Sequence, residues 1–174
     1  MLEIEIPKGI EVKLEGNDLT IKGKLGSTVK RLNLKYTPLE IANGKITIKD
    51  VSNKKVLKQA TLIHAALATE IKNAFNGVEN GVQKRLQVVF AHFPISFEVK
   101  GKIVLIKNIF GEKTPRKSKI MGDTKLEVKG QEVLVKGVDP YDVSQTIANI
   151  KRTCAMPNFD SRVFQDGVYI AKEE

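Results

Sequence analysis

The feature that most constrains this chain is that it repeats itself. Displaced by 85 positions, Leu14-Glu15-Gly16 falls on Val99-Lys100-Gly101, Leu19-Thr20-Ile21-Lys22 on Val104-Leu105-Ile106-Lys107, and Gly26 on Gly111. Displaced by 87, Leu39-Glu40-Ile41 falls on Leu126-Glu127-Val128, Ile46-Thr47-Ile48-Lys49 on Val133-Leu134-Val135-Lys136, and Val51 and Val56 on Val138 and Val143. Alternating patterns align cheaply with one another, but here the glycines and the starts of the helical stretches hold register as well. A tandem duplication of one small unit accounts for this, with the boundary near Gly77–Gly81 and the repeats spanning 1–81 and 82–174. A length of 174 residues suits two such units, each with a modest core.

Period-two alternation dominates both repeats and predicts half-buried strands. Glu11–Glu15 and Leu19–Lys22 flank Gly16-Asn17-Asp18, and Leu39–Ile41 and Lys45–Ile48 flank Ala42-Asn43-Gly44. Such turn clusters supply residues that tolerate positive φ, as tight hairpins require. The second repeat shows Leu86–Phe93, then Ile95–Lys100 and Ile103–Lys107, then Leu126–Lys129 and Val133–Lys136, and a last strand over Arg162–Ile170 kinked at Asp166-Gly167.

Apolar residues at Val56, Ala60, Ile63, Leu67, Ile71 and Ala74 draw one stripe of a helix over Val56–Phe75, with Ser52 and Asn53 as caps and Asn76-Gly77 as a stop. A shorter helix runs over Tyr141–Arg152, capped by Asp139 with Pro140 in its first turn. The fold expected is α+β, each half mainly antiparallel β hairpins packed with one α-helix.

Lys and Arg total 29 against 20 Asp and Glu, a net charge of +9 that points to a polyanionic partner. The charge is densest in Lys113-Thr114-Pro115-Arg116-Lys117-Ser118-Lys119, which carries four cations and no acid. It reads as an exposed basic loop between the hairpins of the second repeat, matched in the first by Ser27–Lys35 with Lys30, Arg31 and Lys35. A charge run is ordinarily just solvated, but this density beside a proline favours phosphate contact. Lys meets a phosphate as a point charge, and Arg116 can do so through two parallel hydrogen bonds. On the second helix Gln145, Asn149 and Arg152 recur at helical spacing beside Lys151, an amide-rich basic face that Arg162 joins if the last strand lies alongside.

No catalytic constellation emerges. The single Cys154 forms no disulfide within the chain, and two histidines leave little for a metal centre, so no cofactor or metal is expected and a reduced compartment is. Gly23-Lys24-Leu25-Gly26-Ser27-Thr28 lacks the Gly-Lys-Ser/Thr ending of a phosphate loop. His92, between Ala91 and Phe93, and His64, beside the apolar stripe, read as packed or hydrogen-bonded structural histidines rather than bases. Cys154 reads as an ordinary small side chain, and Asp123, Glu127, Asp160 and Asp166 are scattered singly. Aromatic content of 6% without Trp argues against a platform that stacks single strands. No run approaches the ~18 apolar residues of a membrane span, and MLEIEIPKGIEV lacks the layout of a secretory signal, so a cytoplasmic protein is expected.

Several collinear motifs carry a resemblance: Val89-Phe90-Ala91-His92-Phe93-Pro94-Ile95, Phe110-Gly111-Glu112-Lys113 with Pro115-Arg116-Lys117, and Gly122-Asp123-Thr124-Lys125. Val128-Lys129-Gly130-Gln131-Glu132-Val133 and Arg162-Val163-Phe164-Gln165-Asp166-Gly167-Val168-Tyr169-Ile170 follow in order. Together they resemble ribosomal protein six of the large subunit in its archaeal and eukaryotic form, numbered nine in eukaryotes. The resemblance is weak over residues 1–50 and close from Val82 to Ile170. It implies a duplicated α+β fold and a structural role on large-subunit rRNA near the sarcin–ricin loop and the base of the stalk that recruits translation factors. It also implies that the second domain supplies most of the rRNA contact. On that resemblance Lys113, Arg116, Lys117 and Lys119 stand in the family's basic loop, Gln145, Asn149 and Arg152 in its helix, and Arg162 and Gln165 in its terminal motif. Two departures stand out: Ser144-Gln145 with Ile147-Ala148 where the family has a Gly-Gln pair and two alanines, and Cys154–Phe159 without the family's basic and Gly content.

The expected function is therefore that of a structural, non-enzymatic rRNA-binding constituent of the large subunit. Its expected partners are rRNA, neighbouring ribosomal proteins and nearby translation factors, with no membrane partner. The alternative is a protein-interaction adaptor that presents its two sheet domains to other proteins.

Overall fold

The computed structural model describes residues 2–32, 38–42, 44–48, 54–156, 159–160 and 162–171, excepting the side chains of Leu2 and of residues 54–61. The expected caps Ser52 and Asn53, and Lys35 of the basic stretch, lie outside the described residues. The chain divides into two compact units, Met1–Gly81 and Val82–Glu174.

In the first unit, strands β1 (Leu2–Glu5), β2 (Glu11–Glu15), β3 (Asp18–Lys22), β4 (Ser27–Arg31), β5 (Leu39–Ala42) and β6 (Lys45–Ile48) precede helix α1 (Lys54–Asn80). They form two antiparallel sheets, β1-β6-β5 and β2-β3-β4. Alternation along β3 and β6 buries Leu19, Ile21, Ile46 and Ile48 completely. Helix α1 closes over them with His64, Leu67, Ala68, Ile71, Ala74, Phe75 and Val78, in steps of three and four. Two expectations are corrected here. Ile63 is exposed and His64 takes its place on the buried stripe. The helix also runs past Asn76-Gly77, because Val78 extends the apolar stripe by another turn. It stops where Gly81 turns left-handed (φ +75°) and its N–H donates to the Gly77 carbonyl at 3.0 Å.

The second unit contains β7 (Val82–Val89), β8 (Ser96–Lys100), β9 (Ile103–Lys107), β10 (Arg116–Lys119), β11 (Lys125–Lys129), β12 (Glu132–Gly137), helix α2 (Pro140–Cys154) and β13 (Gly167–Ile170). Its sheets are β10-β9-β8 and β11-β12-β7-β13, all antiparallel. Leu86, Val88, Val104, Ile106, Val133 and Val135 from the strands meet Val143, Ile147, Ile150 and Cys154 from α2 in one core. Asp139 caps α2 as its position suggested, accepting a hydrogen bond from the Tyr141 N–H at 2.9 Å, with Pro140 opening the helix.

The displacement of 85 carries β2 and β3 onto β8 and β9, and that of 87 carries β5 and β6 onto β11 and β12. The repeated unit is larger than the hairpins alone indicated. It opens with one further strand, β1 or β7, and its first hairpin is the start of a three-stranded meander completed by β4 or β10. Of the segments that read as basic loops, Ser27–Arg31 and Arg116–Lys119 are therefore strands. The second unit alone gains β13, and that strand starts at Gly167 rather than Arg162. Strand β7 ends at Val89, so His92 lies in a bend beyond it and is exposed, not packed.

Candidate nucleic-acid interface

Strand β10 is the edge of its sheet and pairs only with β9: Arg116 opposite Ile106, Lys117 opposite Leu105, Ser118 opposite Val104 and Lys119 opposite Ile103. An edge strand tolerates charge, which is how three of the four cations fit a strand. Alternation turns Arg116 and Ser118 inward and leaves Lys117 and Lys119 exposed, while Lys113 is exposed just before the strand.

The inward Arg116 is fully engaged inside the unit. Its Nε and Nη2 donate to both carboxylate oxygens of Glu112, at 2.8 and 2.6 Å. Its Nη1 donates to the carbonyls of Thr153 and Ala155 at 2.7 and 3.1 Å, and Nη2 also lies 3.2 Å from the Met156 sulfur. The last carbonyls of a helix have no partner within it, and the negative end of its dipole favours a cation there. Arg116 thus clasps the end of α2 to β10. The hydrogen bond from Arg116 holds the Glu112 carboxyl below the usual carboxylate range, and the same bond raises the Arg116 guanidinium. Burial pushes the neighbouring Cys154 thiol up to about 12 against the pull of Arg116.

A second tie runs through amides. Asn149 Nδ2 donates to the Lys119 carbonyl at 3.1 Å, and its Oδ1 accepts from Gln145 Nε2 at 3.1 Å. The Met121 N–H then donates to Thr146 Oγ1 at 3.0 Å. Arg116, Lys119, Gln145 and Asn149 are therefore brought together where α2 packs on β10. Lys151 and Arg152 are exposed on the last turn of that helix. Arg162 and Gln165 sit in the segment between α2 and β13: Arg162 is 90% exposed and 3.4 Å from Asp160, and Gln165 donates to the Arg162 carbonyl at 3.4 Å. In the first unit, Lys30 is buried 3.4 Å from Glu70, and Arg31 is exposed.

Sequence reasoning missed one feature beside this surface. Phe110, Phe159 and Phe164 form a cluster, with Phe110 and Phe159 stacked at 6.0 Å and Phe159 and Phe164 edge-on at 4.9 Å. Phe159 and Phe164 share the segment between α2 and β13, but Phe110 joins them from just after β9, so no local pattern announced the cluster. Among the described residues no group of three or more His, Cys, Asp and Glu side chains converges as a metal site, and no helix is long and apolar enough to cross a membrane.

Duplicated sheet-and-helix units with a cationic sheet edge, held in place by an internal guanidinium clasp, define a class of basic α+β binding proteins. Comparison with known proteins narrows the class. The family model described as ribosomal protein L6 matches residues 93–167. A protein of Methanosarcina mazei named "Large ribosomal subunit protein uL6" is 37% identical over 170 residues, covering 98% of this chain and 95% of the relative. Proteins of the same name match from Archaeoglobus fulgidus, 36% identical over 175 residues (98% and 88% covered), and Thermoplasma acidophilum, 37% over 167 residues (96% and 92% covered). The chain belongs to the uL6 family of large-subunit ribosomal proteins, in its archaeal and eukaryotic form. As a member it is a structural, non-enzymatic protein of the cytoplasmic ribosome.

Proposed function

We propose that this chain binds large-subunit rRNA mainly through its second unit, near the sarcin–ricin loop and the base of the factor-binding stalk. Lys113, Lys117, Lys119, Lys151, Arg152 and Arg162 contact phosphates in this reading. Arg116, Gln145 and Asn149 hold β10 and α2 in register behind them, and Gln145 and Gln165 offer amides at the margin. The observation that carries it is the division of labour on β10: the inward guanidinium is taken up by internal bonds, while Lys117 and Lys119 are exposed on the strand's other face. Phosphate contacts of this kind fix position and orientation, and an A-form helix is recognised by shape because its deep major groove excludes side chains. Neighbouring ribosomal proteins and translation factors complete the set of partners.

The test is retention of the tagged chain on large subunits in sucrose gradients of rising salt, together with the affinity of the purified chain for a large-subunit rRNA transcript. Replacing Lys117 and Lys119 by Ala should weaken binding and reduce its salt slope by about 1 for each phosphate no longer neutralised. An unchanged slope refutes the assignment of the edge. The adaptor reading keeps one observation in its favour, the exposed apolar Leu62 and Ile63 on α1, 75% and 39% accessible. Retention indifferent to salt would select it.

A further inference from the structure

A groove of about 270 Å³ opens beside the end of α2, lined by Lys151, Met156, Phe159, Phe164, Asp166 and Tyr169 among others. We infer that it receives one unpaired base of the rRNA, stacked on the aromatic side chains with its phosphate on Lys151. This rests on the reading that the second unit lies on rRNA, and names what that unit grips there.

The chain has seven Phe and three Tyr, and four of these ten gather at this spot: Phe110, Phe159, Phe164 and Tyr169. Low aromatic content argued against a stacking surface, but composition reports an average, and placement reverses the conclusion. Phe159, Phe164 and Tyr169 remain 47%, 46% and 44% exposed. Clustered exposed aromatic faces mark a binding surface rather than packing.

The groove is also held in shape before anything enters it. Asn108 and Phe110 adopt left-handed backbone (φ 61° and 49°), uncommon for a large residue and typical of sites where the surroundings impose it. That backbone sets the Phe110 ring against Phe159 and Phe164. The Tyr169 hydroxyl donates to the Gln165 carbonyl at 2.9 Å, and the Ala91 N–H donates to Asp166 Oδ1 at 3.0 Å. Asp160 accepts from the N–H groups of Arg162, Val163 and Phe164, folding the loop that carries Phe164.

Size and charge select the occupant. The volume falls just below the ~300 Å³ at which pockets for drug-sized ligands begin, which suits a single ring system. Lys151 lines the groove and has no ion pair among the described residues, and Arg152 follows it in the same helical turn. An aromatic floor beside a cation matches a nucleotide, which brings a π-face and a phosphate together, while the Asp166 carboxylate on the same wall is engaged by the Ala91 N–H. The groove also continues the basic edge, because Met156 on its wall lies 3.2 Å from Arg116 Nη2.

The test uses the full chain and a large-subunit rRNA transcript, with filter binding at several salt concentrations and zero-length ultraviolet cross-linking mapped by mass spectrometry. Phe164→Ala should lower affinity about tenfold without altering the salt slope. Phe164→Tyr should keep wild-type affinity, and Phe164→Leu, which preserves the apolar contact with Phe159, should behave like Phe164→Ala. The cross-linked nucleotide should lie on Phe164 or Tyr169. Wild-type affinity in both Phe164→Ala and Phe164→Leu overturns the proposal, as does a cross-link confined to other segments. If Phe164→Ala binds RNA normally but is lost from assembled large subunits, the groove holds a protein side chain and the proposal also falls. Weaker binding by Phe164→Ala beside wild-type affinity and salt slope in Lys117→Ala and Lys119→Ala keeps the groove and discards the lysine edge. No binding by the wild-type chain discards both.

Discussion

Replacing Arg116 with alanine removes every bond of the clasp between β10 and the end of α2 while leaving both elements otherwise intact. The carboxylate pair with Glu112 is short, but the side chains are 24% and 40% exposed, so solvent reduces it to about 0.5–1 kcal/mol. The two bonds to the Thr153 and Ala155 carbonyls, once removed, leave helix-end acceptors without a protein partner, which adds about 1–2 kcal/mol. Arg116→Ala should therefore lower the unfolding free energy by about 1.5–3 kcal/mol, whereas Lys117→Ala, an exposed neighbour, should stay within about 0.5 kcal/mol. Urea denaturation followed by far-ultraviolet circular dichroism reads the difference. The RNA measurement separates the two further: Lys117→Ala reduces the salt slope and Arg116→Ala does not, since its charge already faces Glu112. Arg116→Ala with wild-type stability and a reduced slope would refute the clasp and return Arg116 to the phosphate-binding set.

Acid should loosen the same clasp at its Glu112 side. Glu112 has a depressed folded pKa, so its contribution is complete above the unfolded value of 4.5 and is lost as pH falls through the folded pKa; the stability gap between wild type and Arg116→Ala should narrow below about pH 4.5 in acid titrations. With its thiol pushed up to about 12 and buried, Cys154 should resist alkylation by iodoacetamide at pH 8 in the native chain and react promptly in urea. Gly122→Ala should destabilise by about 2 kcal/mol in a urea melt, because Gly122 is left-handed (φ +54°) and an added Cβ collides with the Asp142 carboxylate in the first turn of α2.

What sequence could show depended on whether the signal was local. The hairpins around Gly16, Gly101 and Gly130 were legible because each combines alternation with a turn that positive φ makes possible. Helix α2 was legible from Asp139 and Pro140, whose roles involve only adjacent residues. Strand β10 was not, since its inward positions hold Arg116 and Ser118 rather than apolar residues, and an edge strand shows charge on its other face. The same polarity hid β4, where Thr28 and Lys30 point inward. The stop of α1 was misplaced because Asn76-Gly77 looks like a terminus until the buried Val78 shows the stripe continuing. At the candidate site, the cationic segment and the amide spacing could be read directly. That Arg116 commits its donors to Glu112, Thr153 and Ala155 could not, because two of those partners lie more than thirty positions away. The aromatic cluster was hidden for the same reason, because Phe110 reaches Phe159 and Phe164 from the far side of α2 in the sequence.

The exposed lysines of β10 have a consequence for the chain before it meets any RNA. An edge strand offers a row of backbone donors and acceptors that invites the edge of another copy, the first step toward aggregates. Lys117 and Lys119 place like charges where a second β10 would have to lie, so self-pairing is repelled while a polyanion is attracted. Newly made chain can thus wait, separate and unassembled, with its sheet edge open only to partners of opposite charge.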